Sequence, residues 1–341
     1  MNSHIAIIGA GISGLAAARA LRQNDCRVTV FEQNEIAGGR ISSVHHDGVF
    51  FDSGAQNIKS QNTALDEIRR ELGNAILTIE APICLHENGV ILPAAAANAA
   101  PKWTCCGGMA QLIEHLAASV NIRFQARVQR LRQTARGIEI FGDNDVSLGE
   151  YSFVIVTIPA PQAVALLETS ELREDFLHGL EGLRAVEYSC CLSVSLHFAT
   201  DFEADWYALL ARDRTNPLLW LARENAKDFA SHGTALVAQL GQEISEQLWD
   251  AKDKEIAFRT CEWIRALLGK NFRVPLWSSV QRWKYAQPLS HVSFEEINSR
   301  DSRLIICGDA TGAARVPDAY QSGLWAAQRI TESTPEFGRT I

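Results

Sequence analysis

The chain has 341 residues, 47% of them hydrophobic, and a formal net charge of −8, a length that suits about two domains with a sizeable core. The acidic balance, with no basic run against it, excludes the electrostatics of nucleic-acid binding. The first residues enter a strand without a charged and apolar leader, and no apolar run reaches bilayer-spanning length, so a cytoplasmic protein with no membrane partner is expected.

His4 to Gln33 reads HIAIIGAGISGLAAARALRQNDCRVTVFEQ. His4 to Ile8 is a β-branched apolar run and Ser13 to Leu21 carries small and apolar residues at helical spacing, which puts three glycines at a strand-to-helix turn. Gly9 allows the tight turn, Gly11 lets a pyrophosphate approach the main chain, and Gly14 lets helix and strand pack closely. The helix start then favours the phosphates' charge. Arg27 to Phe31 is a second predicted strand, ending at Glu32, where a carboxylate can accept both ribose hydroxyls. Together these make a βαβ dinucleotide unit.

Gly38–Gly39 follows as a loop where backbone can lie close to a ligand, and Arg40 can neutralise a phosphate. Val49 to Asp52 is a short strand leading to a turn at Ser53–Gly54. Thr63 to Leu72 is helical, followed by strand-like pieces at Ile76 to Ile79, Ile83 to His86 and Val90 to Leu92. Pro93 to Pro101, PAAAANAAP, is a short ordered connection. After Gly107–Gly108 comes an amphipathic helix, and Asn121 to Leu131 contains the strand IRFQARVQRL. Gly137 to Phe141 and Val146 to Leu148 form a small meander, and Phe153 to Ile158 is an apolar strand suited to a buried parallel sheet.

From about Pro161 to Arg300 β-like pieces dominate, at Cys191 to Phe198, Leu218 to Ala222 and Ala235 to Leu240, with a helix near Lys254 to Leu268. Six tryptophans lie in this region, compatible with an aromatic-lined pocket as well as with ordinary core. Leu304 to Cys307 is another buried strand with a Gly308–Asp309 turn at its carboxyl end, where open α/β sheets bind ligands, and Ser322 to Ile330 is a second small-residue helix. Eight cysteines include two adjacent pairs but no C-x-x-C and no zinc spacing, so reduced buried thiols and no metal are expected. His45–His46, pointing to opposite faces of an extended segment, is a poor metal site.

The N-terminal glycine fingerprint, the G-G-R loop and the C-terminal G-D followed by a helix together resemble the flavoprotein amine-oxidase superfamily. Within it, GGRISS running into FDSGAQNI, VIVTIPAPQA and QRWKYAQP resemble the renalase branch. The resemblance implies an α/β fold: a Rossmann-like FAD-binding domain with a parallel sheet, plus a substrate domain with a mixed β-sheet, as in amine oxidases and p-hydroxybenzoate hydroxylase. The FAD-binding domain would comprise 1–60, 102–160 and 302–341, and the substrate domain 61–101 and 161–301.

Non-covalent FAD would then be bound by Gly9, Gly11, Ile12, Gly14, Glu32, Gln33, Gly39, Arg40, Gln56, Asn57, Val128, Asp309, Ser322 and Gly323. Val128 matches the position whose backbone holds adenine, and the helix starting near Ser322–Gly323 would aim its N-terminus at the flavin pyrimidine. The implied activity is oxidation of 2- or 6-dihydro isomers of NAD(P) by hydride transfer to flavin N5, giving β-NAD(P)+ and, with O2 as acceptor, hydrogen peroxide. Such a substrate carries its own driving nitrogen lone pair, so no acid–base residue is required; Gln56, Asn57, Trp283 and Tyr285 are the positioning candidates. A flavin amine oxidase, a flavin-free nicotinamide dehydrogenase and a non-catalytic flavin-binding sensor module are the alternatives.

Overall fold

The computed structural model describes residues 3–173, 179–230, 232–269, 272, 274–312 and 314–333. The chain divides into two compact units, one of Met1–Gly39, Ile113–Tyr188 and Gln287–Ile341, the other of Arg40–Leu112 and Ser189–Ala286.

The first unit is built on a five-stranded parallel sheet in the order Ile122–Arg123, Arg27–Phe31, His4–Ile8, Phe153–Val156 and Leu304–Ile306. Ile5, Ile7, Val30, Val154 and Ile155 are buried completely, as both faces of a parallel sheet demand. One face packs on the helix Ile12–Gln23, which lies against the helix Val316–Ser333. The contact is close because Gly323 has no side chain: a Cβ there would stand 2.1 Å from the Ser13 carbonyl oxygen and 3.0 Å from Ala16 Cβ. Opposite, Ala160–Glu168 and Leu180–Arg184 join the antiparallel meander Arg130–Gln133, Ile138–Phe141 and Ser147–Tyr151 in a second core cluster.

The second unit carries a seven-stranded mixed sheet in the order Trp277–Pro288, Tyr188–Phe198, Thr234–Leu240, Leu218–Arg223, Ala208–Ala211, Ile83–Glu87 and Val90–Leu92. Ala208–Ala211 runs parallel to Ile83–Glu87, and the other assigned pairs are antiparallel. The helix Asp253–Leu268 covers it with Ile256, Cys261 and Ile264. A three-stranded sheet of Ile58–Lys59, Lys102–Cys105 and Ile76–Ile79 and a hairpin of Ser43–His46 with Val49–Asp52 complete the unit.

Two expectations need correction, and the compact units divide at other positions than the expected domains. IRFQARVQRL is not one strand: Ile122–Arg123 closes the parallel sheet, the chain turns where Gln125 takes φ +52°, and Arg130–Gln133 starts the meander. The last helix starts at Val316, six residues before Ser322. The units also switch at 39/40, 112/113, 188/189 and 286/287 instead of 60/61, 101/102, 160/161 and 301/302. Hydrophobic packing explains the shifts: Val49 and Phe51 bury against Ala235 and Val237 of the mixed sheet, whereas Ala163, Leu183 and Ile297 bury in the parallel-sheet unit. Within the expected segments, 1, 2, 174–178, 231, 270, 271, 273, 313 and 334–341 lie outside the described residues.

Candidate functional site

At the end of the strand His4–Ile8, Gly9 turns the chain with φ +105°, which side chains rarely adopt, and a Cβ there would meet Thr157 Oγ1 at 2.8 Å. At Gly14 a Cβ would stand 2.1 Å from the Gly9 carbonyl oxygen, so the helix rests directly on the turn. Gly11 is different: a Cβ there finds no atom within 4 Å. The helix Ile12–Gln23 starts beside it with no side-chain cap and no acidic residue in its first turn. Its end N–H groups and the positive end of its dipole are therefore directed at open space, where negative charge would be stabilised. The Gly38 amide donates to the Ala10 carbonyl at 2.9 Å, which lays the 38–39 loop beside Gly11. Ile12 is buried as the first helical residue.

Glu32 is buried, but its carboxylate braces the turn: Oε2 accepts the Ala10 amide at 2.9 Å, and Oε1 accepts the Asn34 amide at 2.9 Å and Asn34 Nδ2 at 2.8 Å. Oε1 is filled by these two bonds, whereas Oε2 keeps a second lone pair that could accept a further hydroxyl. Gln33 is exposed. The Ala126 amide donates to the Glu32 carbonyl at 2.9 Å, bringing the stretch that holds half-buried Val128 alongside.

Asp309 is buried at the carboxyl end of Leu304–Ile306. Tyr188 donates its hydroxyl to Asp309 Oδ1 at 3.0 Å and accepts the Ala160 amide at 3.3 Å, fixing the carboxylate's orientation. Sequence reasoning missed both Tyr188 and Thr157, whose Oγ1 donates to the Ile8 and Gly9 carbonyls, because neither sits in a glycine motif. Ser322 and Gly323 lie inside the last helix and not at its N-terminus. Ser322 Oγ accepts the Gly308 amide at 3.0 Å, so it supports the G-D turn from behind, while Gly323 admits the neighbouring helix.

In the second unit Arg40, expected on a phosphate, donates Nη1 to the Tyr285 carbonyl at 3.1 Å and the Ala286 carbonyl at 3.4 Å. It thereby holds the strand that carries Trp283 and Tyr285, two half-buried rings on one face. Trp283 Nε1 donates to the Ser53 carbonyl at 3.0 Å. Gln56 Nε2 donates to the Asp52 carbonyl, and Asn57 Nδ2 to the Tyr207 hydroxyl at 3.4 Å.

Behind this segment lies a cluster that sequence reasoning missed. Lys227 Nζ sits 2.8 Å from Asp52 Oδ2 and 3.0 Å from Glu224 Oε2, all three side chains being 0% exposed. Asp52 Oδ1 also accepts Ser43 Oγ at 2.6 Å and the Met109 amide at 2.8 Å. Burial pushes Glu224 up to about 7 against the pull of Lys227, with Asp52 adding to the rise. Burial alone would lower Lys227, but Asp52 and Glu224 outweigh it and hold the ammonium above its ordinary range. The stretch RENAKD carries no apolar run, and it is the short helical turn Glu224–Lys227 that brings the Glu224 and Lys227 side chains inward together.

The cysteines are free thiols. Burial pushes Cys105 and Cys307 up to about 12, which makes them poor nucleophiles. No group of three or more potential metal ligands occurs among the described residues, nor any helix long and apolar enough to cross a membrane. Two surface clefts of about 460 and 330 Å³, one beside Arg69 and Arg70 and one beside Phe294 and Trp325, contain none of the sequence-predicted residues.

Residues 7–72 match the NAD(P)-binding Rossmann-like domain. Among curated proteins, mitochondrial protoporphyrinogen oxidase of Nicotiana tabacum is 50% identical over 54 residues, 16% of this chain and 11% of that protein. Coproporphyrinogen III oxidase of Staphylococcus aureus is 37% identical over 75 residues, 21% of this chain and 16% of its own length. These matches therefore span less than a fifth of either relative. Among solved structures, cyclohexylamine oxidase from Brevibacterium oxydans superposes with a TM-score of 0.77 over 99% of this chain and 100% of its own, at 14% identity, a likeness of fold. The strongest statement comes from residues 84–331, more than two thirds of the chain, which match the family described as flavin containing amine oxidoreductase. With its Rossmann-like unit and mixed-sheet unit, this chain belongs to that family, and FAD is its cofactor.

Proposed function

We propose that the chain is a renalase-type oxidase of isomeric dihydronicotinamide dinucleotides, returning β-NAD(P)+ with O2 as electron acceptor and hydrogen peroxide as product. When bound, FAD supplies a two-electron acceptor at N5. The uncapped helix start beside Gly11 suits its pyrophosphate, Glu32 its ribose, and Asp309, held by Tyr188, its ribityl or pyrophosphate region. No reactive thiol is needed, and we take the cofactor as non-covalent.

The observation that carries the reading is the character of the positioning candidates. Gln56, Asn57, Trp283 and Tyr285 are two amides and two aromatic rings, while the ionisable groups joined to them, Asp52, Glu224 and Lys227, are sealed from solvent. A dihydronicotinamide suits this set because its ring nitrogen expels the hydride and the protein has only to orient the ring. An amine must first lose a proton. The amine-oxidase reading is supported by the family match over 84–331, so the two must be separated directly.

Anaerobic mixing of the oxidised protein with a borohydride-reduced NAD+ mixture is expected to bleach the flavin while one of the 2- or 6-dihydro isomers disappears and the 4-dihydro form stays. Bleaching by primary amines with every dihydronicotinamide left intact would overturn the proposal.

A further inference from the structure

Gln56 and Asn57 are consecutive amides tied to the protein by the same end. The partner of Gln56 is the Asp52 carbonyl, which can only accept, so the group facing it is the NH2. The Gln56 Oε1 is buried with no partner. For Asn57 the assignment comes from Tyr207. Its hydroxyl has one proton, donated to the Gln56 carbonyl at 3.3 Å, so it must accept from Asn57, and the side facing it is again the NH2. Asn57 Oδ1 makes no hydrogen bond among the described residues, and Asn57 is only half-buried.

Tyr207 has little freedom to change this arrangement. It is 0% exposed, its ring meets Trp220 edge-on at 6.0 Å, and Lys227 Nζ lies 5.4 Å from the ring centroid. Burial raises the phenol well above its ordinary value, so the proton stays in place across the working range.

We propose that Tyr207 is a positioning residue that turns the Asn57 amide oxygen outward, making it a selective acceptor for a ligand N–H group. That chemistry is offered by the primary carboxamide of a nicotinamide and by the imide of an isoalloxazine ring; the nicotinamide case rests on the proposed function. The amide cannot turn over to receive an acceptor without setting Asn57 Oδ1 against the Tyr207 hydroxyl oxygen, or drawing the hydroxyl proton from the Gln56 carbonyl, which would then be left unpaired at a cost. The site therefore discriminates against a ligand that offers a bare oxygen in the same place.

Tyr207→Phe keeps the ring and deletes the hydroxyl. It is expected to raise KM for carboxamide-bearing dihydronicotinamides about tenfold with kcat nearly unchanged, and to leave KM for the 3-acetylpyridine analogues, which lack the N–H, where it was. Asn57→Leu should do the same, and Asn57→Asp, which keeps an acceptor oxygen, should retain the preference for the carboxamide. Reconstitution of the apoprotein with FAD, followed by fluorescence, distinguishes the second source: a dissociation constant raised about tenfold in Tyr207→Phe and Asn57→Leu, without a KM difference, assigns the imide as donor. If the wild-type flavin is bleached by no dihydronicotinamide, the proposed function fails by itself and the FAD titration alone decides. Equal KM changes for carboxamide and acetyl compounds with FAD affinity unchanged, or no change in either measurement, would overturn the role of Tyr207 and Asn57.

Discussion

Lys227→Met is expected to destabilise the mixed-sheet unit by about 3–5 kcal/mol, because it strips the counter-charge from two carboxylates that have no route to water. Asp52 would keep its bonds from Ser43 and Met109, but Glu224 would retain only a weak bond from the Asp52 amide at 3.4 Å. The deficit should shrink toward pH 5 as Glu224 takes up a proton. Wild-type protein should show a related slope. Glu224 is raised from 4.5 to about 7, so between those values the folded chain binds more protons than the unfolded one. Stability then falls as pH rises through this window, by an amount on the order of 3 kcal/mol that is fully lost above it. Thermal melts of wild-type, Lys227→Met and Glu224→Gln at half-unit pH steps from 4.5 to 8 check this. The difference between wild type and Glu224→Gln should carry the slope, and a constant difference across that range would remove Glu224 from the account.

The glycine turn should separate folding from cofactor binding. Gly14→Ala places a carbon 2.1 Å from the Gly9 carbonyl oxygen, where backbone and not a yielding side chain must move. A loss of about 3 kcal/mol, the upper end of ordinary overpacking, is expected together with loss of flavin. Gly11→Ala meets nothing within 4 Å and keeps φ −76°, so the apoprotein should melt within a few degrees of wild type. The added methyl would nevertheless occupy the space that a pyrophosphate needs. Flavin retained through dialysis by Gly11→Ala would place the cofactor's phosphates elsewhere.

The parallel-sheet unit was legible because its signals are local. An apolar strand, three glycines at fixed spacing and a small-residue helix each follow from a few adjacent side chains, and the strands His4–Ile8 and Arg27–Phe31 lie where that pattern puts them. The last helix was harder. Val316-Pro-Asp lacks the small-residue signature of Ser322–Gly323, yet proline is tolerated in a first helical turn, so the helix starts earlier than its close-packed face. Strand breaks set by one left-handed residue, such as Gln125, leave no apolar gap to read.

The buried cluster was hidden for a different reason. Asp52 and Lys227 are separated by 175 positions, and a charge is recognised as internal only when its partner is already in place. Glu32 shows the same limit within a motif: its spacing makes it a candidate for the ribose, but its bonds to Ala10 and Asn34 depend on how the turn folds back. Arg40 was read by charge, whereas its Nη1 is directed at main-chain carbonyls of Tyr285 and Ala286.

The central claim is that the substrate's own ring nitrogen drives hydride loss and that this chain supplies orientation without an acid–base residue. The most direct test is the anaerobic flavin-bleaching rate with a purified dihydronicotinamide isomer, measured from about pH 6 to pH 9, a range that exposes a catalytic histidine or a perturbed carboxylate. Glu224→Gln, run in parallel, separates any inflection near 7 that comes from the buried cluster. The account predicts a rate that is nearly flat in the variant across the whole range. A bell-shaped profile with two inflections, persisting in Glu224→Gln after correction for substrate ionisation, would contradict it and favour amine oxidation.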